Sequence, residues 1–148
     1  MTNLRIDCPG HGNRNHPKIM FIGERPGAKE LEIGHPFVGR AGKFLGKQLE
    51  KINIKREDCY ITNVVKSYAE KNIPPTDKEI KAYLPILEKE IAEIKPEIIV
   101  LLGKTASRNV PITGNYTFLE LPHPSAAMRF TKMRIKFEAG MKELKKLL

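Results

Sequence analysis

Four short apolar runs alternate with stretches of helical periodicity along the 148-residue chain, and this alternation restricts the possible folds. Each helical stretch carries apolar residues every three or four positions, as an amphipathic helix does. Strands separated by helices pair in parallel, because every connection has to cross a face of the sheet. We therefore predict an α/β fold, a three-layer α/β/α domain with a central, mostly parallel four-stranded sheet. The predicted strands are residues 18–22, 59–65, 97–103 and 116–121.

The helical stretches carry their own start and stop signals. Thr76 stands three residues before Glu79, the spacing of a capping box at a helix start. Pro85 lies inside the same helical pattern, and we expect a kink or break there, because proline has no N–H to donate. The predicted helices cover residues 41–52, 76–94, 105–110 and 133–148.

We expect one domain, residues 1–148, because this length suits a single hydrophobic core. Residues 1–17 are polar and rich in Gly, Pro and Asn, so they predict an irregular N-terminal arm. There is no apolar run near 18 residues and no signal-peptide pattern. We therefore expect a soluble, cytoplasmic protein with no membrane partner, and a monomer. Cys8 and Cys59 are too few for a disulfide framework and are predicted to be free thiols.

The chain is basic: 26 Lys and Arg against 17 Asp and Glu give a formal net charge of +9. A basic excess of this size favours a polyanionic partner, because lysines and arginines release counterions from phosphates. The alternative is a surface rich in Lys, Glu and Ile of the kind found in thermophiles. Both readings are compatible, and on charge alone nucleic acid is favoured.

Several familiar catalytic signatures are absent from the sequence. No G-x-G-x-x-G follows the first strand and no G-x-x-x-x-G-K-[ST] occurs, which argues against dinucleotide enzymes and P-loop NTPases. Ser125 does not lie in a G-x-S-x-G elbow, so it is not predicted to be a nucleophile. His11 and His16, near the terminus, are interpreted as solvated rather than as metal ligands.

Acidic, aromatic, amide and imidazole side chains follow the predicted strands where those strands end. Glu24 follows the first strand and Phe37 lies in the glycine-rich loop after it, Asn63 lies near the end of the second strand, and His123 follows the fourth. Singly, each has an ordinary structural explanation: a helix-dipole partner, a core residue, a turn former and a rigid corner. Loops at the carboxyl edge of a parallel sheet bind ligands. We therefore predict one site assembled from loops 23–39, 63–67 and 122–130.

Five motifs in this order resemble the uracil-DNA glycosylase superfamily, most closely its family 4, the thermostable iron–sulfur branch. They are GERPG at 23–27, GHPFVGRAG at 34–42, YITNVVK at 60–66, IIVLLGKTA at 98–106 and HPSAAMR at 123–129. The resemblance runs from about residue 18 to the C-terminus. It implies a DNA repair enzyme that hydrolyses the N-glycosidic bond of uracil in DNA, with water as nucleophile, after flipping the nucleotide out of the duplex.

The resemblance also implies a role for each matching residue. Phe37 would stack on the flipped uracil and Asn63 would hydrogen-bond its Watson–Crick edge. His123 would lie against uracil O2, where negative charge develops, and Glu24 would position or activate the attacking water. Glu30 matches an acidic position beside the pocket that excludes the 5-methyl group of thymine.

The remaining implied contacts are to substrate and to DNA. Gly23 and Arg25 are placed in the substrate-binding loop, where the Arg25 guanidinium could hold or neutralise Glu24. Ser125 would touch a DNA phosphate, and Arg129 with its neighbours would enter the DNA from the minor groove. The predicted DNA-binding residues are Lys66, Ser125, Met128, Arg129 and Phe130.

The iron–sulfur ligands of family 4 are mostly missing from this chain. The positions that match the four cysteines are Cys8, His11, Ser67 and Tyr83, so a single cysteine remains. Because such clusters take four cysteine ligands, we predict no cluster, no metal cofactor and a less rigid 66–83 loop. Ala28 and Leu31 also replace acidic residues that are usual after the first motif.

DNA, single- or double-stranded, is therefore the expected partner, and the protein is expected on the nucleoid in the cytoplasm. The Ile-, Lys- and Glu-rich composition indicates a thermophilic source. Two alternatives remain open. One is a glycosylase for hypoxanthine or another deaminated base, and the other is a catalytically silent homologue that binds DNA.

Overall fold

The computed structural model describes residues 4–112 and 114–148, and these form a twisted sheet with helices on both faces. The sheet has five strands in the order β1-β3-β2-β4-β5. Strands β2 to β5 pair in parallel, and β1 is antiparallel to β3. The predicted α/β class is confirmed. The strands are β1 His11–Gly12, β2 Ile19–Gly23, β3 Tyr60–Asn63, β4 Ile98–Leu102 and β5 Thr117–Leu121.

The predicted count of four strands was one too low, because β1 lies in the segment that we expected to be an irregular arm. With two residues, β1 is too short to show an alternating pattern. Gly12 has a φ of +125°, and a Cβ at this position would lie 2.0 Å from the carbonyl oxygen of Cys59. The close backbone approach thus depends on glycine. Asn13 N–H extends the pairing by donating to the same oxygen at 3.0 Å.

Six α-helices flank the sheet among the described residues. Two of them were not predicted: α1, inside the loop after β2, and α5, directly after His123. The others match the predicted helices within a few residues. Their bounds are α1 Ala28–Ile33, α2 Arg40–Lys51, α3 Asp77–Ile94, α4 Lys104–Asn109, α5 Pro124–Arg129 and α6 Thr131–Leu147.

Helix α3 begins at the predicted capping box. Thr76 Oγ1 accepts from Glu79 N–H at 3.1 Å, and the Glu79 carboxylate accepts from Thr76 N–H at 3.0 Å. The break expected at Pro85 is wrong, because α3 continues through it to Ile94. Pro85 is on the exposed face, while Ile80, Tyr83, Leu87, Ile91 and Ile94 on the opposite face are buried. Packing of that apolar face holds the helix together across the missing hydrogen bond.

The core has two halves, one on each face of the sheet. Alternate residues of β2 point to opposite sides: Phe21 packs with Leu45 and Phe137, and Met20 packs with Leu87. Helices α2, α5 and α6 cover the first face, and α3 and α4 cover the second. With both faces covered, the central strands read as continuous apolar runs. Their carboxyl ends open to solvent at one edge, where the polar residues lie.

None of the helices in the described part of the chain is both long enough and apolar enough to span a membrane.

Candidate active site

A cavity of about 610 Å³ opens at the carboxyl edge of the sheet. The four residues that were singled out at strand ends and in the glycine-rich loop all line it, although they come from three separate loops. Of the other predicted site residues, Gly23, Lys66 and Met128 do not line the cavity. The predicted residues that line it are Glu24, Arg25, Glu30, Phe37, Asn63, His123, Ser125, Arg129 and Phe130.

Gly23 lies beneath two of these side chains without lining the cavity itself. It is paired with Asn63 in the parallel ladder of β2 and β3. A Cβ on Gly23 would lie 2.6 Å from both Asn63 Oδ1 and Phe37 Cζ. Gly23 therefore contributes by having no side chain, since only glycine lets the amide and the ring close over this position.

Phe37 is held in an unusual backbone conformation. Its φ is +54°, in the left-handed region that bulky residues rarely adopt. Gly42 makes room for this turn, because a Cβ there would lie 1.8 Å from the Phe37 carbonyl oxygen. Arg56 ties the loop down by donating to the carbonyls of Pro36 at 2.7 Å and Gly42 at 3.3 Å. The Phe37 ring lies 5.6 Å from that of His123.

Glu30 organises the loop that carries Phe37. Its Oε1 accepts from Gly27 N–H at 3.0 Å, and its Oε2 accepts from Val38 and Gly39 N–H at 2.9 and 2.8 Å. Such charge-assisted bonds to backbone donors are stronger than neutral ones. The carboxylate thus acts as the internal brace of the 27–39 loop and also lines the cavity.

Asn63 ends β3 with its side-chain amide at the cavity. The residue is 3% exposed, and no hydrogen bond to its amide exists among the described residues. In the described chain, every side-chain N or O atom that is fully buried has a hydrogen-bond partner. The Asn63 amide atoms have none there, so they are not fully buried and remain accessible from the cavity. Val64 and Val65 N–H donate to the carbonyls of Gly23 and Glu24, which fixes the backbone that follows Asn63. The amide donor and acceptor are thus available to a ligand.

His123 presents one defined nitrogen to the cavity. It precedes α5, and its Nδ1 accepts from Ser125 N–H at 3.1 Å. Burial lowers the pKa of His123 below its ordinary value of 6.5, against the opposing effect of Glu24 and Glu30. The imidazole is therefore neutral at pH 7. Since Nδ1 is an acceptor, the ring proton lies on Nε2, where it can be donated to a ligand.

Glu24 is bonded to a residue that the sequence analysis missed. Thr105, at the start of α4, donates its hydroxyl to Glu24 Oε2 at 2.6 Å, and both residues line the cavity. The turn after β4 is thus a fourth wall of the site. A signal was present in the sequence, because the strand at 97–103 ends at the same edge as the other three. Only three of the four strand ends were used in the prediction.

Arg25 is oriented away from Glu24. Its side chain is 6% exposed and forms an ion pair with Glu79 Oε2 at 2.9 Å. It also donates to the carbonyls of Ser67 at 3.0 Å and Ile73 at 3.1 Å. Among the described residues it has no ion pair with Glu24. The guanidinium thus clamps the loop that follows β3 onto the loop that follows β2.

The expectation that Lys66 contacts DNA is wrong, because its side chain is buried. Only 2% of the residue is exposed. Its Nζ donates to Glu90 Oε1 at 2.7 Å, to Thr62 Oγ1 at 2.6 Å and to the Asn63 carbonyl. Burial lowers the pKa of Lys66, and the Glu90 carboxylate opposes that shift. Lys66 supports the end of β3 from below rather than facing a nucleic acid.

The segment 125–130 forms the outer rim of the cavity. Ser125 and Arg129 are exposed, and Phe130 is 57% exposed with the Arg129 guanidinium 5.9 Å from its ring centre. Met128 is partly buried, and its carbonyl accepts from Arg134. An exposed aromatic beside a cation is suited to contact with bases and phosphates.

The four positions that match iron–sulfur ligands do not fit a cluster. Cys8 supplies the single thiol among them, and burial raises its pKa to about 11. Tyr83 donates its hydroxyl to the Arg5 carbonyl at 2.5 Å, and Ser67 is bonded to Arg25. Across residues 4–112 and 114–148, no group of three or more His, Cys, Asp or Glu side chains is arranged to hold a metal ion.

The sequence profile of the uracil DNA glycosylase superfamily matches residues 9–146. The chain belongs to this superfamily. It is 36% identical over 95% of its length to a type-4 uracil-DNA glycosylase of Saccharolobus solfataricus, of which the match covers 75%. The resemblance predicted from the five motifs is therefore confirmed.

Other relatives are matched over shorter stretches. A type-4 uracil-DNA glycosylase of Thermotoga maritima is 44% identical over 67% of this chain and 56% of the relative. One of Archaeoglobus fulgidus is 43% identical over 68% of this chain and 50% of the relative. The matched part thus spans about half the length of several relatives. Their sources, archaea and Thermotoga, fit the predicted thermophilic origin.

Proposed function

We propose that this superfamily member is a uracil-DNA glycosylase that hydrolyses the N-glycosidic bond of a flipped-out uracil, using water and no metal. The observation that carries the proposal is that three groups meet in one cavity: an amide with no hydrogen-bond partner among the described residues, an aromatic ring and a neutral imidazole. The amide is that of Asn63, the ring that of Phe37 and the imidazole that of His123. The names of the relatives support the same activity.

Recognition of the base rests on Asn63 and Phe37. An amide offers one donor and one acceptor, which match O4 and N3–H of uracil, while cytosine presents the opposite pattern. A bidentate contact of this kind discriminates by about 1–3 kcal/mol. Phe37 supplies a flat apolar surface for stacking, in a conformation fixed by Gly42 and Glu30. Extracting the base costs a few kcal/mol, and least for a mispaired base.

His123 stabilises the leaving group. As the C1′–N1 bond breaks, its electron pair passes to uracil and negative charge develops on O2. The neutral Nε2–H donates to that oxygen, as a preorganised oxyanion donor does. Such a donor contributes about 2.7–4 kcal/mol to transition-state stability, so we expect His123→Ala to lower the rate about 10²–10³-fold.

Glu24 handles the nucleophile. A water held by its carboxylate adds to C1′, and the carboxylate receives the proton. The same negative charge favours the positive sugar that forms while the base departs. Among the described residues that line the cavity, the other carboxylate is Glu30, and it is bonded to three backbone donors.

DNA contacts fall to the rim and to overall charge. Ser125 and Arg129, which are exposed, contact phosphates, and the exposed Phe130 with Met128 fills the gap that base flipping leaves. The net charge of +9 supports binding to DNA without sequence preference. We further propose that the protein acts as a monomer on the nucleoid.

A panel of damaged oligonucleotides tests the proposal. Duplexes that carry one U·G, U·A, hypoxanthine or xanthine site, and a single strand with uracil, are incubated with the protein and then treated with alkali. We expect strand cleavage at uracil, and little cleavage with Glu24→Gln. Cleavage at hypoxanthine alone would identify a glycosylase for another base. Binding without cleavage at stoichiometric protein would identify a silent DNA-binding homologue, and both results would reject the proposal.

A further inference from the structure

We propose that Thr105 is a positioning residue for Glu24, and that the turn between β4 and α4 aligns the two chemical groups of the site together. This inference rests on the proposed function, because it assigns a task to the carboxylate that handles water. The observation that carries it is the 2.6 Å hydrogen bond from Thr105 Oγ1 to Glu24 Oε2.

The geometry restricts the Glu24 carboxylate to one orientation. A distance of 2.6 Å lies in the short range of O–H to carboxylate bonds, which are among the stronger hydrogen bonds in proteins. A glutamate side chain has several rotatable bonds and needs an anchor to hold one rotamer. The bond from Thr105 engages Oε2. The other oxygen, Oε1, has no hydrogen-bond partner among the described residues and is available to bind water.

The anchor is itself rigid. Gly103 has a φ of +89°, which turns the chain sharply from β4 into α4. Its N–H donates to the Leu121 carbonyl at 2.8 Å, and its carbonyl accepts from Ser107 N–H at 3.1 Å. The Thr105 carbonyl accepts from Asn109 Nδ2 at 2.8 Å. The following Ala106 is fully buried. Thr105 thus stands on a turn that is fixed at both ends.

The same turn also sets the position of His123. Leu121, the hydrogen-bond partner of Gly103, lies two residues before His123. A Cβ on Gly103 would lie 3.0 Å from His123 Cβ, so the turn packs against the base of the His123 side chain. The same turn therefore sets the distance between the group that activates water and the group that donates to O2 of the departing base. Misplacing a catalytic group by about 1 Å can cost 100-fold in rate.

Two substitutions separate positioning from packing. Thr105→Val keeps the shape and removes the hydroxyl, and Thr105→Ser keeps the hydroxyl and removes the methyl group. We expect single-turnover uracil release to fall about 10- to 100-fold in Thr105→Val, with the Kd for uracil-containing DNA unchanged. Thr105→Ser should recover the rate to within a few-fold. Ser107→Ala is the matched control, because its hydroxyl bonds only the Lys104 carbonyl within the described chain, and its rate should not change.

A second readout does not depend on activity. Crystal structures of the wild type and of Thr105→Val should show Glu24 in one rotamer in the first and in several rotamers in the second. A wild-type rate in Thr105→Val, an equally slow Thr105→Ser, or an unchanged Glu24 rotamer would overturn the proposal. Absence of base release by the wild type would instead reject the proposed function, and the rotamer comparison would still decide the role of Thr105.

Discussion

At the scale of single residues, the site depends on where one proton lies. His123 can donate to O2 of a departing uracil, as proposed, only while Nε2 carries the proton and Nδ1 accepts from Ser125 N–H. Protonation at Nδ1 would put two donors face to face and break the start of α5. Burial opposes that protonation by disfavouring the charged ring. The cap of a short helix thereby fixes the tautomer of the proposed leaving-group donor.

This arrangement predicts the titration of His123. Its imidazole should titrate below 6.5 in the folded protein and carry its proton on Nε2 at pH 7, as measured by ¹⁵N and ¹³C NMR. The unfolded chain takes up the proton near 6.5 and the folded one only at lower pH. The free energy of unfolding should therefore fall as the pH drops below 6.5. Titration above 6.5, or an Nδ1 proton at pH 7, would contradict this assignment.

Among the secondary-structure elements, α2 contains two glycines in different surroundings. Gly42 faces the strained Phe37 turn, where a Cβ would lie 1.8 Å from a backbone oxygen, and Gly46 faces open space. Both interrupt the same helix, so intrinsic helix propensity treats them alike. Only the contact with the cavity loop distinguishes them.

Gly42→Ala should therefore lower both the thermal stability and uracil release, because the Phe37 loop must shift to admit the methyl group. Gly46→Ala is the matched control and should stabilise the protein by up to about 1 kcal/mol through helix propensity, with activity unchanged. Thermal unfolding and single-turnover kinetics measure the two effects. Equal behaviour of the two variants would contradict the close contact between α2 and the Phe37 loop.

The loop at 66–76 is held by hydrogen bonds to side chains from other parts of the chain. Arg25 donates to the carbonyls of Ser67 and Ile73 in this loop and pairs with Glu79 in α3, and Asp7 accepts from Tyr68 N–H at 2.9 Å. Bonds to a buried charge contribute more than neutral ones. The loop is predicted to be less rigid without a cluster. Removing one of these bonds tests how far they hold the loop in place.

Arg25→Ala should lower the free energy of unfolding by about 1.5–3 kcal/mol or more and make residues 66–76 sensitive to proteolysis, because Glu79 and two carbonyls lose their donor. Lys29→Ala is the control, since the Lys29–Glu32 ion pair is exposed at both ends and adds little stability. Limited proteolysis with mass mapping, together with thermal unfolding, measures both. Resistance of the loop in Arg25→Ala would show that the clamp does not hold it.

For the molecule as a whole, buried cations affect the stability of the fold, and exposed cations affect binding to a polyanion. Lys66 is paired with Glu90 beneath the site, and Arg129 stands at the rim. Removing one partner of a buried ion pair leaves the other charge unpaired, which costs about 3–5 kcal/mol. Removing an exposed cation that meets a phosphate instead reduces the dependence of binding on salt.

Lys66→Met should thus lower the melting temperature and leave the slope of log K against log salt for DNA binding unchanged. Arg129→Gln should leave the melting temperature unchanged and reduce that slope by about 1. Calorimetry and binding titrations from low to moderate salt separate the two. A reduced slope in Lys66→Met would show that Lys66 contacts DNA, which contradicts its burial in the structure.

Residues that local sequence patterns bring together could be predicted, whereas contacts between residues far apart in the sequence could not. Glu24, Asn63 and His123 could be found because parallel strands end at one edge, so local patterns place their residues together. The partner of Lys66, Glu90, is 24 positions away on a helix, and no local pattern shows that the two meet. Thr105 and Glu24 are 81 positions apart. The two-residue strand β1 leaves no periodic trace. The burial of a side chain and its contacts with residues far away in the sequence become visible only in the folded structure.

The cavity is proposed to release uracil from DNA without a metal cluster. The most direct test measures free uracil from a U·G duplex under single turnover, together with the iron content of the same sample. The expected result is one uracil per duplex from iron-free protein, and at least a 100-fold slower release by His123→Ala. No uracil from correctly folded protein, or release only from iron-containing samples, would contradict the account.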